Sequence, residues 1–375
     1  MKKVLFVATV DQHIRHFHIP YLKWFKEKGF QVSVASHGNE GVPYVDLKYE
    51  IPFDRKPWAL SNILALIKLL KILCINQYEI IHTHTPVASI LIRVANFITG
   101  NKSKIIYTAH GFHFYKGAKI LNWLVYFPVE KVLSFCTDTI ITINDEDFNV
   151  ALRKGFGSKR KYLVDGVGVD LNKFSPPTAH EKDTLRDKFG LNKNDFILIY
   201  VAELSKRKNQ ELLLNVISKL SDRIENLKLL LVGKGNEEER LRKQCSLLGI
   251  DDKVTFLGYR NDIADLMKAS DLSVSTALQE GLPVNIMESL STGLPCVVSN
   301  CRGNRDIISD NYNGFVVKNY DHTEFSSEIH RVFADRKLFE EIKFNTVRSV
   351  EKFSQKAILE VMNDIYSECI GSKDE

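Results

Sequence analysis

Two glutamates, Glu280 and Glu288, stand with seven residues between them in QEGLPVNIMESLSTGLPCVVSN (279–300). Carboxylates at such a spacing can work as an acid/base pair, or separately as acceptors for ligand hydroxyls. Pro283 bears on the choice, because proline suits the first turn of a helix and Gly293 supplies its stop. A helix from about 283 to about 292 leaves Glu280 in the preceding loop and places Glu288 a turn and a half along. The two then share no helical face. Glu280 lies beside the amides of Gly281 and Leu282, at a helix start that favours anions. A carboxylate there is poorly chosen for phosphate and well chosen for sugar hydroxyls. Glu288 can accept both hydroxyls of a ribose, as acidic residues do in dinucleotide-binding folds. The plainer reading is a helix with acids near its start.

Other chemistry-bearing residues lie at the ends of apolar runs. YVAELSKRKNQELLL (200–214) offers Lys206, Arg207 and Lys208 before a helix, a position from which a cation can neutralise a diphosphate. In LLVGKGNEEERL (230–241), Gly233 and Gly235 permit a tight turn whose backbone could approach a nucleotide. A single G-x-G also describes an ordinary strand-to-helix turn. Asp145, Glu146 and Asp147 imitate a D-x-D metal motif, but Asn144 is a good N-cap and acids suit a first helical turn, so no metal is expected from them. Eight of eleven histidines fall within 13–113. His82 and His84 share a strand face, and His110 and His113 follow the next strand. Zinc on these four would lack a familiar ligand spacing, so they are read as hydrogen-bonding or acid/base groups and no metal is expected.

These residues need strands to carry them. KVLFVATV, QVSVAS, EIIHTH, KIIYTAH, DTIITIN and KYLVDG form one series, and FILIYVA, KLLLVG, KVTFLG, LSVST, PCVVS and GFVV a second. Runs apolar on both faces indicate parallel sheets covered by helices on each side. The fold class is α/β, with two doubly wound Rossmann-like domains. Ligands in such sheets bind outside the carboxyl ends of the strands, so two facing domains should form a cleft. The first domain is expected over 1–170 and the second over 171–353. A hinge is placed near Asp170–Pro177, and a helix in 354–375 either caps the second domain or crosses back to the first.

The 375 residues are too many for one ordinary core. The net charge of +5 is uneven: 1–170 carry 22 Lys+Arg against 14 Asp+Glu, and 55–131 carry 10 against 2. From charge alone this is a solvated basic face, or a surface for an anionic membrane or phosphate-bearing partner. Nucleic acid is not an expected partner. Six cysteines show no CxxC and suit buried thiols in a reducing cytoplasm. The run after Met1 meets Asp11 at once, so it reads as a strand and not as a signal peptide. ALSNILALIKLLKILCI (59–75) contains Lys68 and Lys71, so it reads as an amphipathic helix and not a span.

The E-x7-E segment, together with HTHTP (82–86), YTAHGFHFYKG (107–117), VDGVGVDLNKFSP (164–176) and VTFLGYRNDIADLMKASDLSVSTALQEGLP (254–283), resembles the family 4 retaining glycosyltransferases of GT-B architecture. The likeness spans nearly the whole chain, and HGFHFYKGA resembles enzymes of bacterial capsule, exopolysaccharide or O-antigen assembly. It implies that Glu280 contacts the donor sugar with the amides of Gly281 and Leu282, that Glu288 holds the ribose, and that Lys208 binds the diphosphate. His110 would lie close to the transferred sugar. Many members carry Arg five residues before that lysine, where this chain has Glu203; Lys206, Arg207 or Arg305 would have to substitute, and Glu203 could receive a hydroxyl. The expected reaction moves a hexose or N-acetylhexosamine from a nucleotide sugar, chiefly a UDP-sugar, to a glycan or lipid-diphosphate-linked acceptor, without a cofactor. Front-face attack would retain the α configuration, the leaving phosphate taking the acceptor proton. The charge of the first domain, the 59–75 helix and the apolar-basic 116–135 stretch fit a cytoplasmic enzyme peripheral at the inner leaflet, although a buried crossover helix also explains 118–135. The alternatives are a nucleotide-sugar epimerase of the same plan and a non-catalytic sugar-nucleotide-binding subunit.

Overall fold

The computed structural model describes residues 1–371. Contacts divide the chain into two compact units, one of Met1–Gly168 with the C-terminal helix from Lys356 onward, the other of Val169–Gln355.

The first unit is built on seven parallel strands: β1 (Lys3–Val10), β2 (Gln31–His37), β3 (Leu47–Glu50), β4 (Ile80–His84), β5 (Lys104–Ala109), β6 (Thr139–Thr142) and β7 (Arg160–Leu163). Their order is β3-β2-β1-β4-β5-β6-β7, a doubly wound sheet. Alternation along β1 shows why its run is apolar throughout. Val4, Phe6 and Ala8 enter one core layer, while Leu5 and Val7 enter the layer on the opposite face. The first layer is completed by the helix Gln355–Gly371, whose Ile358, Met362, Ile365, Tyr366 and Cys369 recur at helical spacing. The opposite layer is filled by the helices Ser61–Ile75 and Pro86–Thr99. β3 has no counterpart among the expected strands. Its four residues, LKYE, contain no apolar run, because an edge strand with Lys48 and Glu50 is protected by charge rather than by burial.

The helix Ile120–Leu133 packs Trp123, Tyr126 and Phe127 against Phe112, Phe114 and Phe156. It also buries Glu130 in an ion pair with Arg93 at 2.8 Å, and the Arg93 guanidinium lies over the Tyr107 ring. Its other side is not buried: Ile120, Leu121, Leu124, Val125, Val129 and Val132 are exposed, as is Phe135 just beyond. The stretch is therefore only half a crossover helix of the core. Helix Ser61–Ile75 is amphipathic in the same inverted sense, with Ile63, Leu64 and Ile67 exposed beside Lys68 and Lys71. Among the described residues no helix is long and apolar enough to cross a membrane.

The second unit holds β8 (Phe196–Val201), β9 (Leu227–Val232), β10 (Val254–Gly258), β11 (Leu272–Ser275), β12 (Cys296–Ser299) and β13 (Gly314–Val317). The parallel order is β10-β9-β8-β11-β12-β13. The order reverses between β8 and β11, so the loops after these two strands converge at one switch point. Val169 pairs with Ser354 in an isolated bridge, so the unit's first and last segments are neighbours.

Candidate functional site

In the second unit the switch point brings the basic corner and the first glutamate together. Lys208 Nζ lies 2.5 Å from Glu280 Oε1. Arg207 Nη1 is 3.3 Å from Glu280 Oε2 and donates to the Gln279 carbonyl at 3.0 Å. Arg302 Nε donates to the Glu280 carbonyl at 3.0 Å from a buried position. Glu280 itself is only 7% exposed. The local chain explains the placement. Ser205 closes a turn by accepting from the amides of Lys208 and Asn209, and Asn209 takes the left-handed conformation at φ 54°. Tyr200 donates to the Lys208 carbonyl at 2.9 Å and Thr276 at 3.2 Å, fixing the lysine's backbone from both central strands. Two cations thus face one nearly buried carboxylate, leaving a net positive charge in a poorly solvated corner.

Glu288 occupies the second turn of the helix Val284–Ser291, which Asn285 ties to the end of β8 by donating to the Val201 carbonyl at 3.0 Å. Burial pushes the Glu288 carboxyl up to about 7, with the Lys173 ammonium pulling the other way. Such a group is partly protonated near neutrality, and it becomes a better acceptor for hydroxyls as it ionises. Pro283 precedes the helix without an N–H, so Gly281 and Leu282 carry the amides beside Glu280; Leu282 is buried and Gly281 half-buried.

Gly233 and Gly235 sit elsewhere on the same edge, against the loop after β8. A Cβ on Gly233 would lie 2.1 Å from the Ala202 carbonyl oxygen, and one on Gly235 would lie 2.0 Å from that of Leu204. Leu204 N donates to the Lys234 carbonyl at 3.0 Å, so the two loops are bonded through their backbones. Both glycines are required by this approach whether or not a nucleotide also uses the turn. Glu203 projects to solvent from the loop they support, its carbonyl accepting from Gln210 at 2.9 Å. Arg302 is the cation that the sequence reading passed over. Its only sequence signal is its place in the loop three residues beyond β12.

In the first unit, His110 follows β5 and its Nε2 lies 3.3 Å from His84 Nδ1 at the end of β4. The histidines gathered around it are not the four suggested by spacing. His13 and His18, from the helix and turn after β1, join His84 and His110, and one nitrogen from each lies within 4.8 Å of the others. His82 is engaged separately, bonded to the Tyr366 hydroxyl at 2.7 Å and to Thr108 at 2.8 Å, and His113 stacks on Tyr126. Burial lowers the ring pKa of five of these histidines, to about 4 for His110 and about 3 for His82, and well below the usual value for His13, His18 and His84. Thr85, directly after His84, holds a positive φ of 64°, which is strained for a β-branched residue. Its hydroxyl is clamped between the Thr9 amide and hydroxyl at 3.0 and 2.8 Å. The 145–147 acids serve structure: Asn144 caps the helix Asp145–Arg153, and Asp147 accepts from the Phe112 amide at 2.8 Å, steadying the loop after His110.

Known families account for both units. The model described as "Glycosyl transferases group 1" matches residues 181–348, and that described as "Glycosyl transferase 4-like" matches residues 3–144. A putative glycosyltransferase of Bacillus subtilis, EpsD, is 40% identical over 367 residues, covering 98% of this chain and 96% of its own length. This chain is a glycosyltransferase of the group 1, 4-like family. An Escherichia coli relative, "UDP-Gal:alpha-D-GlcNAc-diphosphoundecaprenol alpha-1,3-galactosyltransferase", is 32% identical and covers 81% of each chain. Further homologues, such as CapM of Staphylococcus aureus, belong to capsular polysaccharide biosynthesis. Among solved structures, Anabaena Alr3699/HepE in complex with UDP and glucose superposes with a TM-score of 0.80 at 19% identity, covering 98% of this chain and 100% of that one. Sucrose-phosphate synthase from Thermosynechococcus elongatus gives 0.82 at 18% identity, with both chains fully covered. At these identities they establish the fold, two Rossmann-like domains of GT-B type.

Proposed function

We propose that this glycosyltransferase moves a hexose or N-acetylhexosamine from a UDP-sugar to a lipid-diphosphate-linked glycan, retaining the α configuration. The observation that carries the reading is the Lys208–Glu280 pair at the switch point of the second unit, with Arg207 as a second cation on the same carboxylate. On donor binding the ammonium of Lys208 turns to the diphosphate and stabilises the charge of the leaving group. Glu280 is then released to accept hydroxyls of the donor sugar, and the amides of Gly281 and Leu282 support it. Arg207 offsets Glu203, which stands where many relatives carry arginine. Glu288 accepts the ribose hydroxyls from its half-buried helix position, and the turn at Gly233 and Gly235 borders the nucleotide. His110 is the first-unit group assigned to the transferred sugar. No carboxylate is placed as a nucleophile, which suits front-face attack with the leaving phosphate accepting the acceptor proton.

The acceptor class is supported by the E. coli relative, which acts with UDP-Gal on a diphosphoundecaprenol-linked sugar. It is supported physically by the outward faces of helices Ser61–Ile75 and Ile120–Leu133. Apolar residues exposed in rows beside Lys68, Lys71, Lys116 and Lys119 suit the interfacial zone of an anionic membrane. The protein therefore works peripherally at the cytoplasmic leaflet. The test is purified chain with a panel of UDP-sugars and a lipid-diphosphate-linked acceptor, read by mass spectrometry. An epimerase would alter the UDP-sugar with no acceptor present, and a non-catalytic subunit would bind UDP without releasing it from any donor.

A further inference from the structure

We propose that His13, His18, His84 and His110 form a binding site for one divalent transition-metal cation of the zinc class. The four residues arrive from three separate places in the first unit: the helix and turn directly after β1, the last residue of β4, and the residue after β5. Their ring centroids are 3.8 Å apart for His18–His84, 4.9 Å for His13–His110 and 5.0 Å for His13–His18. A second observation points to a ligand. His13 Nε2, both nitrogens of His18 and His84 Nε2 are buried without a hydrogen-bond partner among the described residues. Buried polar atoms in folded proteins are almost always satisfied, and an unpartnered nitrogen on each of His13, His18 and His84, beside His110, points to a shared ligand. His82 marks the boundary of the set, since both of its nitrogens are bonded to hydroxyls.

The chemistry of the donors selects the ion. Neutral imidazoles bind zinc, copper, nickel or iron, while calcium and magnesium require oxygen ligands. Tetrahedral zinc with bonds of about 2.0–2.1 Å needs ligand nitrogens about 3.4 Å apart. One nitrogen from each residue already lies within 4.8 Å of the rest, and the stacked rings of His18 and His84 turn out of their face-to-face contact to bring both nitrogens onto one ion. The bound ion fastens the segment after β1 to the ends of β4 and β5. It shares His110 with the sugar-transfer reading, so metal binding is measured without donor or acceptor, and its failure leaves that reading standing.

The full chain, stripped by chelator, is titrated with Co2+ and then Zn2+. One Co2+ per chain is expected, with the visible absorption of tetrahedral nitrogen coordination, displaced by one equivalent of Zn2+ and accompanied by a raised Tm. His18→Asn and His84→Asn, each checked by circular dichroism, should weaken Co2+ binding at least tenfold. His13→Asn, in the short helix Asp11–Phe17, is the substitute if either fails to fold. Absence of a tetrahedral Co2+ spectrum in the wild-type chain would overturn the proposal. So would unchanged affinity in any folded variant.

Discussion

Glu280 and Lys208 are already paired before any ligand arrives, so each protects the other from an uncompensated charge in a corner with little water. Removing either should cripple transfer more than folding. Lys208→Ala and Glu280→Gln are each expected to lower kcat by about 10²–10³, the scale of losing one preorganised charge-stabilising group, with circular dichroism unchanged. Near-normal turnover in either variant removes that residue from the mechanism. Glu288 makes a prediction in pH. Its folded carboxyl titrates at about 7, above the ordinary value of 4.5, so protonation persists in the folded protein where an unfolded chain has ionised. Burial of this carboxylate therefore subtracts stability as pH rises from 4.5 toward 7, and ribose binding by the ionised form should strengthen over the upper part of that range. Affinity for a UDP-sugar, whose diphosphate diester does not titrate there, should rise between pH 6 and pH 8. Isothermal calorimetry on Glu288→Gln should find the rise gone. The E-x7-E pair, Lys208 and their separation by Pro283 were legible because their chemistry is local to short motifs. Arg302 and the pairing of His13 and His18 with His84 were not, because only the sheet brings residues so distant in sequence together.

At the scale of elements, twelve of the thirteen strands among the described residues were readable as apolar runs, and β3 was missed for the opposite reason: an edge strand stays charged. The glycines of 233–235 show how a motif can have two causes. Gly235→Ala would press a Cβ to 2.0 Å from the Leu204 carbonyl, and the loops must part. A loss of about 1–3 kcal/mol in denaturant unfolding is expected, the usual cost of overpacking. The 120–133 helix was ambiguous in sequence because both faces are apolar. Its aromatic face packs inward, and its aliphatic face remains exposed. Leu121→Asp combined with Leu124→Asp should abolish flotation with anionic vesicles while leaving turnover of a short soluble acceptor within about twofold. Flotation of the wild-type chain with neutral and anionic vesicles alike would remove the role of the lysines, and absence of flotation with both would remove the membrane surface.

For the whole molecule, the course of the last helix links the sequence ends. Gln355–Gly371 completes the core layer around Val4 and Phe6, with Tyr366 fully buried and bonded to His82. Tyr366→Ala should cost about 3–5 kcal/mol, as for other large aromatic truncations, and destabilise the first unit although the change lies at the far end of the chain. The measurement that bears most directly on function is transfer itself. Purified chain is incubated with each of a panel of UDP-sugars and a lipid-diphosphate-linked N-acetylhexosamine, and the product is read by mass spectrometry and NMR. A gain of a single hexose or N-acetylhexosamine in α linkage, with equimolar UDP released, is the predicted result. A β-linked product, or UDP binding with no acceptor extended by any donor, would contradict it.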